Sequence, residues 1–488
     1  MKFALALIFP TILFAASDCE KLTSLALPHT TVVSASKLGA GEFIPPNGRR
    51  DAFMKLPAFC RVQASLKPAD DSDIGIEVWL PLAAWNGKLQ SVGNGAWAGT
   101  ISYPALANAL SAGYAAASTD TGHKGNNADF IPGHPERLAD FIHRSVHEMT
   151  LAAKGMINAY YGNAPKYAYW NGCSTGGRQA FTEAQRYPGD YDGIVAGAPA
   201  AYPTKLQGMQ VWASVQANRN AASLIPKEKF SVLHSAVLAA CDGIDGVKDG
   251  VIEDPAKCKF DPAVVACKNG DGPNCLTEEQ VETARNLYAG PKLNGKTVYP
   301  GLEPGSEMGF DTLAGPKVMS LAEEMYKYAG FDGKWDMKTF RVDDIQRLDK
   351  EKGREMNSVD PNLNPFFAHK GKLLIYHGWG DPGVPPQGTI NYWHSVAKTV
   401  GEAKAQDGMR LFMVPGMGHC RGGDGTDDFD MIKALEQWVE HGKAPAVIPA
   451  ARMRDGKVDR TRPLCAYPNK AVYNGSGSTD DAANFSCK

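Results

Sequence analysis

The chain lacks an excess of charge of either sign: 51 lysines and arginines stand against 53 aspartates and glutamates, a net charge of −2. That excludes the basic footprint of a nucleic-acid-binding protein. It also lacks the polarity of a disordered chain, because hydrophobic residues make up 43% and charged residues 21% of its 488 positions, the balance of an ordinary globular protein. Its 51 glycines and 32 prolines, about a sixth of the chain, fall short of low complexity, and no internal repeat is visible. Beyond the first residues no apolar run reaches the ~20 residues of a membrane span. Cys-x2-4-Cys pairs are absent too, the closest spacing being Cys267 to Cys275, which disfavours zinc.

What is present begins with Met1 and Lys2, then an almost unbroken apolar stretch from Phe3 to Phe14. Ala15, Ala16 and Ser17 follow as a small-x-small cleavage site before Asp18. Residues 1–17 therefore read as a signal peptide, and the mature chain is expected to be secreted or periplasmic, without a membrane anchor. Asp18 is a poor neighbour for a lipidated Cys19. Ten cysteines, an even number in an oxidising compartment, then read as five disulfides.

Ile74, Ile76, Val78 and Leu80 alternate as a strand, and Lys88 to Val92 and Tyr114 to Ser118 read as two more. Val146, Met149, Ala153, Met156, Ile157 and Tyr160 recur at helical spacing. A short strand from Tyr167 to Trp170 and a helix from Arg178 to Arg186 follow. Asp192 to Ala198, Lys372 to Tyr376 and Leu411 to Val414 complete the strands, so strand and helix alternate as in a largely parallel, doubly wound α/β fold. From Ala200 to about Pro361 the alternation stops, and 201–360 reads as an inserted lid. The core is then 18–200 plus 361–488, with an irregular tail from Arg462.

Gly172-Cys173-Ser174-Thr175-Gly176-Gly177 lies between a predicted strand and a predicted helix, the context of a G-x-S-x-G nucleophile elbow. The plain alternative is a glycine-rich turn that happens to contain serine. In the Ser, acid, His order of such hydrolases, Asp381 follows the Lys372 strand and His419 follows the Leu411 strand, giving the imidazole its carboxylate and Ser174 its base. Thr175 would offer one oxyanion N–H, and Gly93-Asn94-Gly95 the second, with Gly95 favoured over Gly93. Cys173 adjoins the expected nucleophile and Cys420 the expected base. A bond between them would hold the Cα atoms of Ser174 and His419 within about 14 Å, whereas each could instead pair elsewhere.

Asp242, Asp245 and Asp249 place three carboxylates in a glycine-rich loop, a hard-oxygen set suited to Ca²⁺. The spacing is not that of an EF-hand, and an Asp-Gly turn series without metal is the alternative.

Taken together, Cys173-Ser174, Asp381 and His419-Cys420 resemble the CS-D-HC signature of the tannase and feruloyl esterase family. So do Gly172 to Gly177, Gly371 to Pro386, Pro415 to Cys420 and Asp242 to Val251. The resemblance implies an α/β-hydrolase core with a lid, a Ser174–Asp381–His419 triad and a Cys173–Cys420 bond. It further implies the pairs Cys19–Cys60, Cys241–Cys258, Cys267–Cys275 and Cys465–Cys487. Structural calcium would be held by Asp242, Asp245, Asp249 and the carbonyls of Val247 and Val251, in the lid and away from the chemistry, with no organic cofactor.

The expectation is a serine carboxylesterase acting through an acyl-enzyme on small esters of phenolic aromatic acids, with a feruloyl esterase first and a tannase second. A third reading, a hydrolase of aromatic diacid monoesters, needs a cation, for which Arg341, Arg347 and Arg354 are candidates. The competing class is an exported binding protein on the same fold.

Overall fold

The sheet is built from apolar runs that alternate between two buried faces. In the Lys372–Gly378 strand, Leu373 and Ile375 face one core and Leu374 the other. The computed structural model describes residues 18–331, 333 and 335–488, so the expected signal peptide at 1–17 lies outside the described residues. Nine strands form this sheet: β1 Thr30–Leu38, β2 Phe59–Leu66, β3 Ile74–Pro81, β4 Lys88–Val92, β5 Ala115–Thr119, β6 Tyr167–Cys173, β7 Gly193–Gly197, β8 Lys372–Gly378 and β9 Met409–Val414. Their spatial order is β1-β2-β3-β5-β4-β6-β7-β8-β9. From β5 to β9 every pairing is parallel, and β1, β2 and β3 extend the sheet antiparallel. This is an α/β-hydrolase sheet, mostly parallel as expected, with a leading antiparallel edge.

Helices cover both faces, as parallel strands require. Helix α1 (Tyr103–Ser111) buries Leu106 and Leu110 on one face. Helix α2 (Ser145–Tyr161), with Met149, Ala153, Met156 and Ile157 at helical spacing, covers the other together with α3 (Thr175–Arg186).

Between β7 and β8 the chain leaves the sheet. Helices α4 (Pro203–Ala217), α5 (Phe230–Cys241), α6 (Glu278–Ala289) and α7 (Val342–Met356) occupy this stretch around their own apolar clusters. Thr277 and Gln280 form a capping box at the start of α6. The chain then returns through β8, α8 (Pro386–Val400), β9 and α9 (Met431–His441).

Two features depart from the sequence reading. Strands β1 and β2 precede the alternation recognised there, and a hairpin of β10 (Val447–Arg454) and β11 (Lys457–Cys465) orders the approach to the tail. Five disulfides close, Cys19–Cys60, Cys173–Cys420, Cys241–Cys258, Cys267–Cys275 and Cys465–Cys487, the first holding the segment before β1 to β2.

Candidate active site

Ser174 stands at the turn from β6 into α3 with φ 65° and ψ −118°, a conformation that a non-glycine residue adopts only under constraint. The turn is tight. A Cβ on Gly172 would come within 2.7 Å of the Gly176 carbonyl carbon, and one on Gly176 within 3.1 Å of Gly93 Cα. Glycine is needed there because the loop after β4 passes directly against the elbow. Gly176 N–H donates to Asn94 O at 2.8 Å, and Thr175 Oγ1 donates to Ala96 O at 3.0 Å. Gln179 on α3 closes a clamp on Asn94, accepting its N–H at 3.1 Å and donating Nε2–H to its Oδ1 at 3.0 Å.

This clamp fixes Gly95 beside Thr175. Among the described residues neither of their backbone N–H groups donates to a protein atom, which leaves both free for a developing oxyanion. Ala96 lies in the left-handed region at φ 49°, and among the described residues its N–H donates to no protein atom either, a donor that the glycine pattern did not single out.

Asp381 follows β8 and is wholly buried. Its Oδ1 accepts the N–H groups of Gly383 and Val384, each at 2.8 Å, and its Oδ2 accepts Nδ1–H of His419 at 2.7 Å. Burial by itself raises this carboxyl's pKa. The charge of His419 and hydrogen bonds from His377 and His419 outweigh that and hold it well below the usual carboxylate range. Burial likewise lowers His419, but the Asp381 carboxylate beside it raises it further, so its net shift is upward.

His419 lies in the loop after β9, and Cys420 beyond it has φ 65°. The Cys173–Cys420 bond spans 6.1 Å between Cα atoms and ties this loop to the elbow across 247 residues of sequence. Ser174 and His419 are thereby held with Cα atoms within about 14 Å. Among the described residues no hydrogen bond joins the Ser174 hydroxyl to His419. The structure brings together the base and its acid and ties their loop to the elbow, the arrangement from which acyl transfer can proceed once serine and imidazole meet.

Sequence reasoning missed His377 and Gln210. His377 Nε2–H points at both Asp381 Oδ2 (3.2 Å) and Val384 O (2.9 Å), while Thr389 Oγ1 stands 2.8 Å from its Nδ1. The signal was its place four residues before Asp381, at the end of β8. Gln210 on α4 donates to Gly383 O at 2.9 Å and so braces the Asp381 turn from the inserted segment; its sequence context carries no signal.

In the Asp242–Val251 loop the three carboxylates accept hydrogen bonds from the loop's own amides. Asp242 accepts the N–H groups of Asp249 and Gly250, Asp245 that of Val247, and Asp249 that of Val251. Burial first, and then mutual charge, raise Asp245; Asp249 is raised by burial and by Asp242 against the pull of Arg462 and Arg460. Such a set of hard, mutually repelling oxygens suits Ca²⁺. The side chains are engaged with loop amides and Arg462, and among the described residues no three His, Cys, Asp or Glu side chains converge on one point. Val251 packs against the segment that leads to His419. A Cβ on Gly416, in the histidine loop, would lie 3.1 Å from Val251 Cγ1.

Arg341, Arg347 and Arg354 lie on the exposed side of the inserted segment, and the first two pair with Asp343 and Asp344. None lines the cavity beside the nucleophile.

Comparison with known proteins agrees with this geometry. Residues 60–488 match the model of the family described as tannase and feruloyl esterase. An uncharacterized esterase of Xanthomonas campestris is 37% identical, covering 97% of this chain and 91% of that protein. A probable feruloyl esterase B-1 of Aspergillus flavus is 33% identical over 88% of this chain and 86% of its own. The crystal structure of feruloyl esterase B from Aspergillus oryzae superposes with a TM-score of 0.90 at 29% identity, covering 96% and 99% of the two chains. A tannin acyl hydrolase from Aspergillus niger, at 22% identity and a TM-score of 0.81 over 97% and 93%, shares the fold. The elbow, the buried acid, the histidine loop and a family match over most of its length agree that the chain belongs to the tannase and feruloyl esterase family of carboxylic ester hydrolases.

Proposed function

We propose that the protein is a secreted serine esterase that hydrolyses esters of phenolic aromatic acids, in the manner of a feruloyl esterase. The observation that carries this reading is the hydrogen bond from His419 to the buried Asp381, on a loop bonded covalently to the elbow. Ser174 Oγ attacks the ester carbonyl as His419 Nε2 takes its proton, and the Thr175 and Gly95 amides stabilise the oxyanion. The alcohol leaves with that proton. Water, deprotonated by the same imidazole, then releases the acid from the acyl-enzyme. No organic cofactor is required.

The names of relatives favour a feruloyl over a gallate ester, with tannase the alternative. The exposed arginines leave the diacid monoester reading without the cation first considered for it. Five disulfides, and the absence among the described residues of any helix long and apolar enough to cross a membrane, support secretion. The helical segment between β7 and β8 would act as the lid. Calcium held by Asp242, Asp245, Asp249 and the Val247 and Val251 carbonyls would neutralise that loop and fix it structurally. The test is turnover of methyl ferulate, its loss in Ser174→Ala, and labelling by a serine-directed phosphonate that maps to Ser174 alone. Undiminished turnover in Ser174→Ala overturns the proposal.

A further inference from the structure

A cleft of about 410 Å³ lies between α8, the end of β9 and the segment that follows β11, and none of the residues assigned to catalysis lines it. The buried Trp379, Ile390, Met413 and Leu464 make its floor. His394 and Asn469, both exposed, and the half-buried Gln387, Tyr467 and Lys470 form its rim, which Asp254 and Lys257 of the inserted segment complete. Asp254 and Lys470, bonded to each other, also line a second cleft of about 250 Å³ that reaches Ile244 and Val472. The two clefts meet at this ion pair.

Three properties narrow the occupant. The first is charge: Glu253 and Asp254 are matched by Lys257 and Lys470, and Asp254 is bonded to Lys470 and lies 3.7 Å from Lys257, so no excess of either sign attracts a charged ligand. The second is hydrogen bonding. Among the described residues the Asn469 side-chain amide has no protein partner, and Gln387 engages only its Nε2–H, with Asn391 at 2.9 Å, so the rim offers donors and acceptors together, which hydroxyl groups answer by being both. The third is a fixed aromatic face. Tyr467 N–H donates to Leu411 O at 2.7 Å, and its ring is held edge to face by Trp393 at 5.2 Å and His394 at 5.9 Å. A neutral ligand with hydroxyls around its rim and an apolar C–H face satisfies all three, and a sugar ring is that ligand. A peptide adding as a strand is refused, because the outer edge of β9 is already taken by the bridge of Ala466 to Phe412 and by Tyr467 N–H.

We propose that this groove is a non-catalytic binding site for a neutral oligosaccharide, with one sugar ring stacked on Tyr467, its hydroxyls on Asn469 and Gln387, and further rings continuing past the Asp254–Lys470 pair. An aromatic ring over an apolar floor, with a few placed polar groups at the rim, is the common make-up of a ligand site. It would hold the protein on a polysaccharide and leave the reacting serine unoccupied.

The experiment titrates the full chain with cellohexaose, xylohexaose and mannohexaose by calorimetry, which reads binding without turnover and so does not depend on the esterase reading. At least one hexasaccharide is expected to bind with one site per chain. Tyr467→Ala should weaken it about tenfold, and Asn469→Ala about threefold, with methyl ferulate turnover unchanged in both. Because Tyr467 packs on Trp393, its variant is checked for folding by circular dichroism, and the exposed Asn469 carries the decision if that variant unfolds. Absence of binding by all three sugars overturns the proposal, as does binding that the folded variants retain in full, which would place the sugar elsewhere. Uptake of polygalacturonate, or of a proline-rich decapeptide, in place of the neutral sugars would overturn it in favour of a charged or a peptide ligand.

Discussion

His377 and His419 share one carboxylate oxygen: Asp381 Oδ2 lies 2.7 Å from Nδ1 of His419 and 3.2 Å from Nε2 of His377. With the Gly383 and Val384 amides on Oδ1, the carboxylate is held from four directions and can orient the His419 ring without turning itself. His377→Ala removes one of these donors. We expect kcat/KM to fall by about tenfold to a hundredfold with the fold intact, since small misplacements at a reacting centre are costly. Steady-state kinetics beside a near-ultraviolet dichroism spectrum check this.

The pH profile follows from the base. His419 must be neutral to accept the serine proton, and its pKa is raised from 6.5. Activity should therefore be low in acid and rise with pH, with a midpoint in kcat/KM above 6.5. Asp381→Asn removes the carboxylate that raises the imidazole, so the midpoint should move down as the rate falls by up to about 10⁴-fold. A midpoint that stays in place would separate Asp381 from the base.

Removing the Cys173–Cys420 bond should harm activity more than stability. A loop of this length corresponds to roughly 5 kcal/mol in the chain-entropy model, of which strain and residual structure leave less. Each cysteine, however, abuts a proposed triad member. The double variant Cys173→Ala, Cys420→Ala should lose most turnover at a temperature where it remains folded, and near wild-type rates there would remove the bond's geometric role.

Chelation should lower the melting temperature if calcium occupies the Asp242–Val251 loop, and added Ca²⁺ should restore it. Because Val251 lies against Gly416, turnover should decline after the melting temperature does. Metal analysis of protein purified without chelator, showing no calcium, would refute the ion.

His234 on α5 joins two segments, its Nδ1 lying 2.7 Å from Glu307 and its Nε2 3.2 Å from Asp424, five residues past His419. Burial lowers its pKa, but Asp424 and Glu307 together push it up to about 9. A raised value means that the link stabilises fully below 6.5 and is lost as pH climbs through about 9. His234→Gln should therefore lower the melting temperature at pH 6 and make little difference at pH 10, which a melting series across pH measures.

The parts of this molecule legible in sequence are those whose pattern is local. The elbow could be read because its glycines are forced by backbone contact, and β8 and β9 because both their faces are buried and apolar. β1 was hidden because a bulge between Val32 and Ser34 breaks its period and Val33 points outward, 68% exposed. In β2 the apolar series Cys60, Val62, Ala64 and Leu66 alternates with Arg61, Gln63 and Ser65, yet small residues weaken the contrast. Gln210 acts across a distance in sequence that only the fold closes, so its chemistry has no local spacing to reveal it, whereas His377 stands four residues before Asp381 and could have been read from that spacing.

The Cys19–Cys60 bond has a consequence at the far edge of the sheet. β1 is the outermost strand of the sheet, the kind of position at which proteins exchange strands with a second molecule. Here the strand lies inside a covalent ring, since Cys19 precedes it and Cys60 sits in its own partner β2, opposite Lys37. While the ring is closed, β1 cannot detach and cross to another copy, so domain swapping at this edge is barred. Reduction would open that route, making strand exchange and not unfolding the first expected failure of the thiol form.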